Sequence, residues 1–534
     1  YVQADGLQTI GYDHGDYNVA TNYVKGNNSY TVFAGANYSH VDGTETWNNE
    51  NYQFPQSLFD RESYSKNSYQ NHQEYMQFRY QNQKGKRYWV GKFTLVNLST
   101  PRNASSGFAR ESTETDIFSN IRKKSLSPKI DLNANLPLSK NQTLTLGVHG
   151  KYSANSYHRL YQEQPFETMT DEDEKALSFQ LSAIYNYFSQ KHSLSVELFH
   201  YHDVWNADYS GNCELWQHLW KGESLAFFSY NFQASRRLSL KTRIGLDWLQ
   251  YHLHGDNSFS QLSPRINTNV QYQLNKGMLL WSFNFVNSNH GMDVINRAMI
   301  QVNSHMMEKG MPELKKSHDI NTYLYYMGRF NRLSVSAIGQ FRYNHHPVTD
   351  DYYLDEANGK IVKTYSNGGN AQYYSAILAL QYKLCKFANL SGDIRYNHAE
   401  VKTTWSKHNN NLTGNLGLNM FMGDFALKPY LHFGKKSLDE AALVISKTPI
   451  DYGMSCSYSR GNLYVELQAV SPFKKQEKQY WLDLPIYSYS KSIKDQTASQ
   501  YASIKVAYSF DFGRKTQKVE KDVNKNINSS LLRV

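Results

Sequence analysis

The residues from Tyr501 to Phe512 alternate in polarity. Even positions hold Ala502, Ile504, Val506, Tyr508, Phe510 and Phe512, while odd positions hold Tyr501, Ser503, Lys505, Ala507, Ser509 and Asp511. A period of two predicts a β-strand, whose successive side chains point to opposite faces. The same alternation runs through Leu144, Leu146, Val148, Gly150 and Tyr152, and through Leu177, Phe179, Leu181, Ala183, Tyr185 and Tyr187. It returns at Tyr374, Ala376, Leu378, Leu380 and Tyr382. The stripes often end in Tyr or Phe, which is the pattern of strands that leave hydrocarbon at a membrane interface. A soluble β-sandwich also has one apolar face, so alternation alone leaves both architectures open.

The spacing of turns separates them. Short, often basic turns are predicted near Lys25-Gly26-Asn27-Asn28, Gln83-Lys84-Gly85-Lys86, Ser139-Lys140-Asn141-Gln142 and Ser189-Gln190-Lys191-His192. Others follow near Ser235-Arg236-Arg237, Asn275-Lys276-Gly277, Phe330-Asn331-Arg332, Cys385-Lys386, Met422-Gly423-Asp424 and Ser459-Arg460-Gly461. Longer polar segments, expected as loops, fall between them at 43–65, 156–173, 289–316, 347–370 and 473–498. Short turns on one side and long loops on the other are the asymmetry of an outer-membrane barrel. These ten turns join twenty strands, and segments at about 2–12 and 500–512 raise the count to 22. Both ends then lie on the short-turn, periplasmic side. The barrel must close, because an open edge would leave backbone groups unpaired in hydrocarbon. The expected fold is therefore an all-β, antiparallel transmembrane barrel of about 22 strands over residues 1–513. Residues 514–534 are expected as a polar, basic periplasmic tail, with Arg514, Lys515, Lys518, Lys521, Lys525 and Arg533 against Glu520 and Asp522.

Composition fits this reading. Hydrophobic residues are only 40% of the 534, yet 42 Tyr, 26 Phe and 9 Trp rule out a disordered chain. Mean hydropathy is −0.66, and no apolar run is long enough for a membrane-spanning helix. Three cysteines exclude a disulfide scaffold. The net charge of +10 (57 − 47) comes from residues scattered through turns and tail, so no nucleic-acid partner is expected.

Candidate chemistry is sparse. There is no Walker loop, G-x-S-x-G, H-E-x-x-H or paired CxxC, so no enzyme activity, cofactor or metal is expected. His200 with His202, and His252 with His254, each share a strand face, but interfacial surface residues are the simpler reading. Asp171-Glu172-Asp173-Glu174 and the group Asp350, Asp351, Asp355 and Glu356 are expected as solvated loop. Residues Met292–Met307 have roughly helical apolar spacing. They predict a loop helix that packs on itself, on the barrel mouth or on a lid protein, with Met299 and Ile300 as contact candidates. Loop aromatics such as Trp47, Tyr52 and Tyr489 are expected mainly to pack, although such rings can stack on sugars or peptides. Trp405, Tyr480, Trp481 and Tyr487 are the candidates for contact with a ligand or partner.

Two segments resemble a known family. Gly310-Met311-Pro312-Glu313-Leu314-Lys315-Lys316, ahead of a strand at 317–329, is similar to the N-P-x-L-K-P-E segment of TonB-dependent receptors of the Bacteroidota, SusC-like type. Met311 stands where Asn is usual and Lys316 where Pro is usual. The closing strand, with Ile504, Val506, Tyr508, Phe510 and Phe512, resembles that group's last strand, whose aromatic end is read by the barrel-insertion machinery. The resemblance implies the barrel region of such a receptor, importing a bulky glycan or peptide. It implies contact with outer-membrane lipids, a surface lipoprotein lid, and TonB if a plug domain precedes residue 1. The family's plug would lie before Tyr1. A rival expectation is a structural or assembly subunit of a larger outer-membrane complex, serving barrel insertion, secretion or surface-protein export. An open porin-like channel is a third.

Overall fold

The computed structural model describes residues 1–54, 57–256, 258–288, 291–474, 476–495, 499–510, 523–527 and 529. One sheet of 26 segments forms the wall. Four wall strands are each interrupted once: Phe425–His432 with Lys435–Asp439, Val444–Thr448 with Asp451–Arg460, Leu463–Val470 with Gln476–Asp483, and Tyr487–Asp495 with Tyr501–Phe510. The wall therefore has 26 − 4 = 22 strands. It closes where Val2–Ile10 pairs antiparallel with Tyr501–Phe510, Val2 opposite Phe510 and Ile10 opposite Ala502. The ten short turns all form. Gly26, Gly85, Gly423 and Gly461 sit in them with φ near +60°, the backbone that tight hairpin turns require.

Alternation sorts the side chains as expected. Leu177, Leu181, Leu378, Ile504, Val506, Tyr508 and Phe510 lie exposed on the outside. Thr31, Gln77, Thr94, Ser127 and Lys129 face inward and are buried. An apolar outer belt on a closed barrel places the chain in the bacterial outer membrane. Phe512 lies outside the described residues.

The wall is not level. Asn28–Phe54 and Ser57–Lys84 run for 27 and 28 residues, where about 9–11 suffice to cross a bilayer. Glu114–Ser139 and Phe166–Phe188 are similarly long. Gly277–Ser288, Leu333–His345 and Asn370–Lys383 have only 12, 13 and 14. This corrects three expected loops: 43–65 and 156–173 are mostly strand, and 473–498 holds Gln476–Asp483 and Tyr487–Asp495. Above the bilayer both faces of a strand meet water, so the ladder continues while the apolar alternation stops. At the seam, the Val2–Ile10 and Asp13–Lys25 hairpin stops short, and Asn28–Phe54 pairs above it with Tyr487–Asp495, Tyr52 opposite Tyr487.

The loops that spring from the short strands fold inward as a cap. Met299–Gln301, Met306–Lys309, Thr349–Asp355 and Lys360–Ser366 form a separate four-stranded sheet. Within it Met306–Lys309 runs parallel to Lys360–Ser366. The helix expected over Met292–Met307 reduces to Met292–Ile295. Two apolar clusters seat the cap. Met292, Ile295, Ala298, Ile300 and Leu314 pack with Trp205, Tyr209, Leu219 and Leu253. Met306, Tyr352 and Ile361 pack with Tyr52, Val401, Leu443, Leu482 and Tyr487. These wall residues come from opposite sides of the ring, so the cap lies within it. Far from the cap, Val523 and Ile527 of the C-terminal segment lie against inward-facing Ala20, Phe33, Tyr75 and Val96.

Candidate functional site at the extracellular mouth

The tall wall meets the cap around one buried cation, which orders the acidic groups there. The Arg61 guanidinium, only 4% exposed, reaches Glu50 Oε2 at 2.8 Å and Glu163 Oε1 at 2.8 Å, and donates to the Tyr161 hydroxyl at 3.1 Å. A bare guanidinium is costly to bury, and this one is stabilised by two carboxylates on neighbouring inward positions. Glu163 also grips the cap: Ser304 donates to its Oε2 at 3.0 Å. Glu50 instead joins two wall strands, accepting at Oε1 from Tyr52 at 3.0 Å and from Tyr487 at 2.6 Å. Arg159 donates to the Gln301 carbonyl at 2.9 Å and to the Val302 carbonyl. His305 Nε2 lies 2.8 Å from Glu111 Oε1.

A second anchor fastens the return of the loop to the wall. Lys316 Nζ, 1% exposed, sits 2.9 Å from Asp247 Oδ2, which Arg265 also reaches at 2.7 Å. Lys316 closes the Gly310–Lys316 motif, and Leu314 of that motif is buried beside it. The motif is thus the hinge post where cap chain becomes wall strand.

Inside the cap, Lys363 bridges Glu308 at 3.4 Å and Asp350 at 3.5 Å. Burial pushes both carboxyls above their usual range, and the Lys363 charge offsets it only in part. Burial works against charge on Lys363, but Asp350 and Glu308 outweigh it and hold the ammonium above its ordinary value. On the tall wall, Glu172 and Glu174 face inward and are 2% and 1% exposed. This corrects the solvated-loop expectation for 171–174, which lies on Phe166–Phe188. Asp171, Asp173 and Lys175 on the outer side of that strand set this level above the bilayer. Burial, with Glu174 adding to it, raises the Glu172 carboxyl to about 8. Of the other acidic group, Asp351 accepts from the Trp405 indole at 2.8 Å, and Asp355 lies in a turn with Asn358.

The proposed contact residues are mostly packing residues here. Ile300 is 1% exposed and Tyr487 5%, both in the clusters beneath the cap. Met299 is half-buried in a cap strand paired with Met306–Lys309. Trp405 and Tyr480 pack on the second cluster, and Trp481 lies under the Lys436 ammonium at 5.9 Å. His200 and His202 stack at 6.1 Å on the outer face, His202 against Trp220 at 5.3 Å. His254 lies 4.8 Å from Trp216. Among the described residues no group of His, Cys, Asp or Glu is arranged to hold a metal ion. A broad groove lined by Leu380, Ile394, Leu412, Leu416 and Ile450 follows the apolar outer positions and so faces lipid. Sequence reasoning missed Arg61 and Glu163, and it named Lys316 only as a motif residue, not as an anchor. Their one local signal is charge at positions whose neighbours alternate inward, and Arg61 and Glu163 are 102 residues apart.

No family model matches the chain, and no curated protein sequence matches it. Solved structures do. The copper transporter OprC superposes with a TM-score of 0.66 over 95% of this chain and 80% of its own, at 10% identity. The ferric-catecholate import receptor Fiu from K12 E. coli gives 0.62 over 95% and 81%, at 10% identity. The FrpB iron transporter from Neisseria meningitidis gives 0.60 over 95% and 81%, at 8% identity. At such identities the likeness concerns the fold. The chain is a closed outer-membrane β-barrel, and its fold is the 22-strand barrel of TonB-dependent outer-membrane receptors.

Proposed function

We propose that the chain is the barrel of an outer-membrane uptake receptor whose mouth is gated by its own inward-folded loops. The observation that carries this reading is the cap: a 22-strand wall would leave a wide channel, and here a four-stranded sheet is seated within the ring. Passage then requires cap movement. The ligand classes to try are a bulky glycan, a peptide, and the iron- or copper-bearing ligands named for the structural neighbours. TonB enters as a partner where a plug domain accompanies the barrel, and a surface lipoprotein lid would meet the tall rim. The test is conductance in planar bilayers. The unmodified chain is expected to be silent, and Arg61→Met to pass current. A large steady current through the unmodified chain overturns the gated reading.

A second reading, a scaffold subunit, is favoured by one observation: the cap's cations and carboxylates are buried in mutual pairs, as suits a permanent seal. Copurification separates the two. A lone lipoprotein partner supports uptake, whereas several unrelated barrels and periplasmic proteins support the scaffold.

A further inference from the structure

The inner wall carries an apolar patch where a barrel of this kind is otherwise polar. Ala20, Phe33, Tyr75 and Val96 come from four successive strands and converge at one level, with Phe33 1% and Val96 0% exposed. Their inward neighbours are Asn18, Asn22, Thr31, Gln77 and Thr94. The patch lies below the cap. Phe33 is a few residues above the Gly26 turn, whereas Glu50 of the cap anchor lies far up the same strand.

What covers the patch is the chain's own C-terminal segment. Val523 and Ile527 pack on it, and the Lys525 ammonium lies 4.2 Å from the centre of the Tyr75 ring. Lys129 donates to the carbonyls of Asn524 and Asn526 at 2.7 and 2.6 Å. The segment thus alternates. Val523, Lys525 and Ile527 turn to the wall, while Asn524 and Asn526 are exposed to the lumen. The wall reads an extended peptide of the form apolar-x-basic-x-apolar: two apolar side chains by burial, a cation by an aromatic face, and the backbone by one lysine.

We propose that this patch is a peptide-binding seat inside the lumen, and that its occupant is the segment Val523–Ile527. The tail is then a tethered strand lining the periplasmic half of the lumen, separate from the cap above it. Its grip is lighter than the cap's, with one lysine and one ring in place of interlocked ion pairs. Release of the tail would uncover the seat to another strand of the same pattern. The inference stands whether the barrel imports or only supports.

The test uses the full chain with Cys213, Cys385 and Cys456 replaced by Ser. Val523→Cys is combined with Val96→Cys, which lies in the seat, or with Val19→Cys, which lies on the lipid face beside it. Under mild oxidation in membranes, the 523–96 pair is expected to cross-link at least tenfold more than the 523–19 pair. Separately, the Val96→Cys thiol is labelled with a bulky maleimide from the periplasmic side. Deleting residues 519–534, or introducing Val523→Asp with Ile527→Asp, should raise the labelling rate at least tenfold. Ala20→Cys serves in the same way if the first variant fails to fold, as judged by heat-modifiable mobility in gels. Equal cross-linking of the two pairs, or labelling unchanged by loss of the tail, overturns the proposal.

Discussion

The tall and short sides of the wall solve one problem in opposite ways. Where strands run on past the bilayer, as in Asn28–Phe54 and Ser57–Lys84, the chain spends its length on ladder hydrogen bonds. Where strands stop early, as in Gly277–Ser288 and Leu333–His345, the length goes into loops that cross the lumen. The tall side supplies most of the inward charge that receives those loops, through Glu50, Arg61, Arg159 and Glu163. The short side supplies the loops, pinned at their root by Lys316. A barrel can therefore build a closure from its own wall by making one side high enough to lean on.

The comparison can be broken first at the tall side. Arg61→Met leaves Glu50 and Glu163 buried without their cation, so stability should fall by about 3–5 kcal/mol. Denaturant unfolding followed by tryptophan fluorescence in detergent would measure this, and a loss under 1 kcal/mol would show that the ion cluster does not hold the cap. The centre of the cap comes next. Ile361 is fully buried, and Ile361→Ala should cost about 2–4 kcal/mol by the same readout. A smaller effect is expected on the short side. Lys316→Met leaves Asp247 its Arg265 partner and should cost about 1.5–3 kcal/mol. If Lys316→Met proved worse than Arg61→Met, the root and not the tall wall would be the main support.

The mildest test is pH. Glu172 is raised from 4.5 to about 8, so between these values the folded chain binds more protons than the unfolded one. Its contribution therefore weakens stability as pH rises through that window. Glu172→Gln should leave stability near pH 4.5 little changed and improve it near pH 8. A variant whose unfolding midpoint keeps the original pH slope would show that burial does not govern this carboxyl.

Much of the wall was legible because its signals are local. A period of two needs only six residues, and a glycine at positive φ marks a hairpin without help from distant sequence. The top of the tall side was hidden for a physical reason: strands wet on both faces carry no apolar alternation. The cap was hidden because its strands are short. Met299–Gln301 spans three residues, too few to outweigh the helical spacing of Met292, Ile295 and Met299. The candidate site was least legible, since Arg61 and Glu163 become neighbours only when the fourth and seventh strands curve toward the same cap. The tail's charge predicts only a polar, basic periplasmic segment, although Val523, Lys525 and Ile527 already alternate.

The bridging of the seam by Tyr487–Asp495 and Asn28–Phe54 limits how the cylinder can yield. Some barrels could unzip sideways between first and last strands, letting lipid or a client polypeptide slip out through the gap. Here that zipper is stitched over at its upper end, with Tyr52 set against Tyr487 and both bound to Glu50. A lateral opening at this seam would have to part the stitch first, so the wall there can spread only after Tyr52 and Tyr487 let go of Glu50.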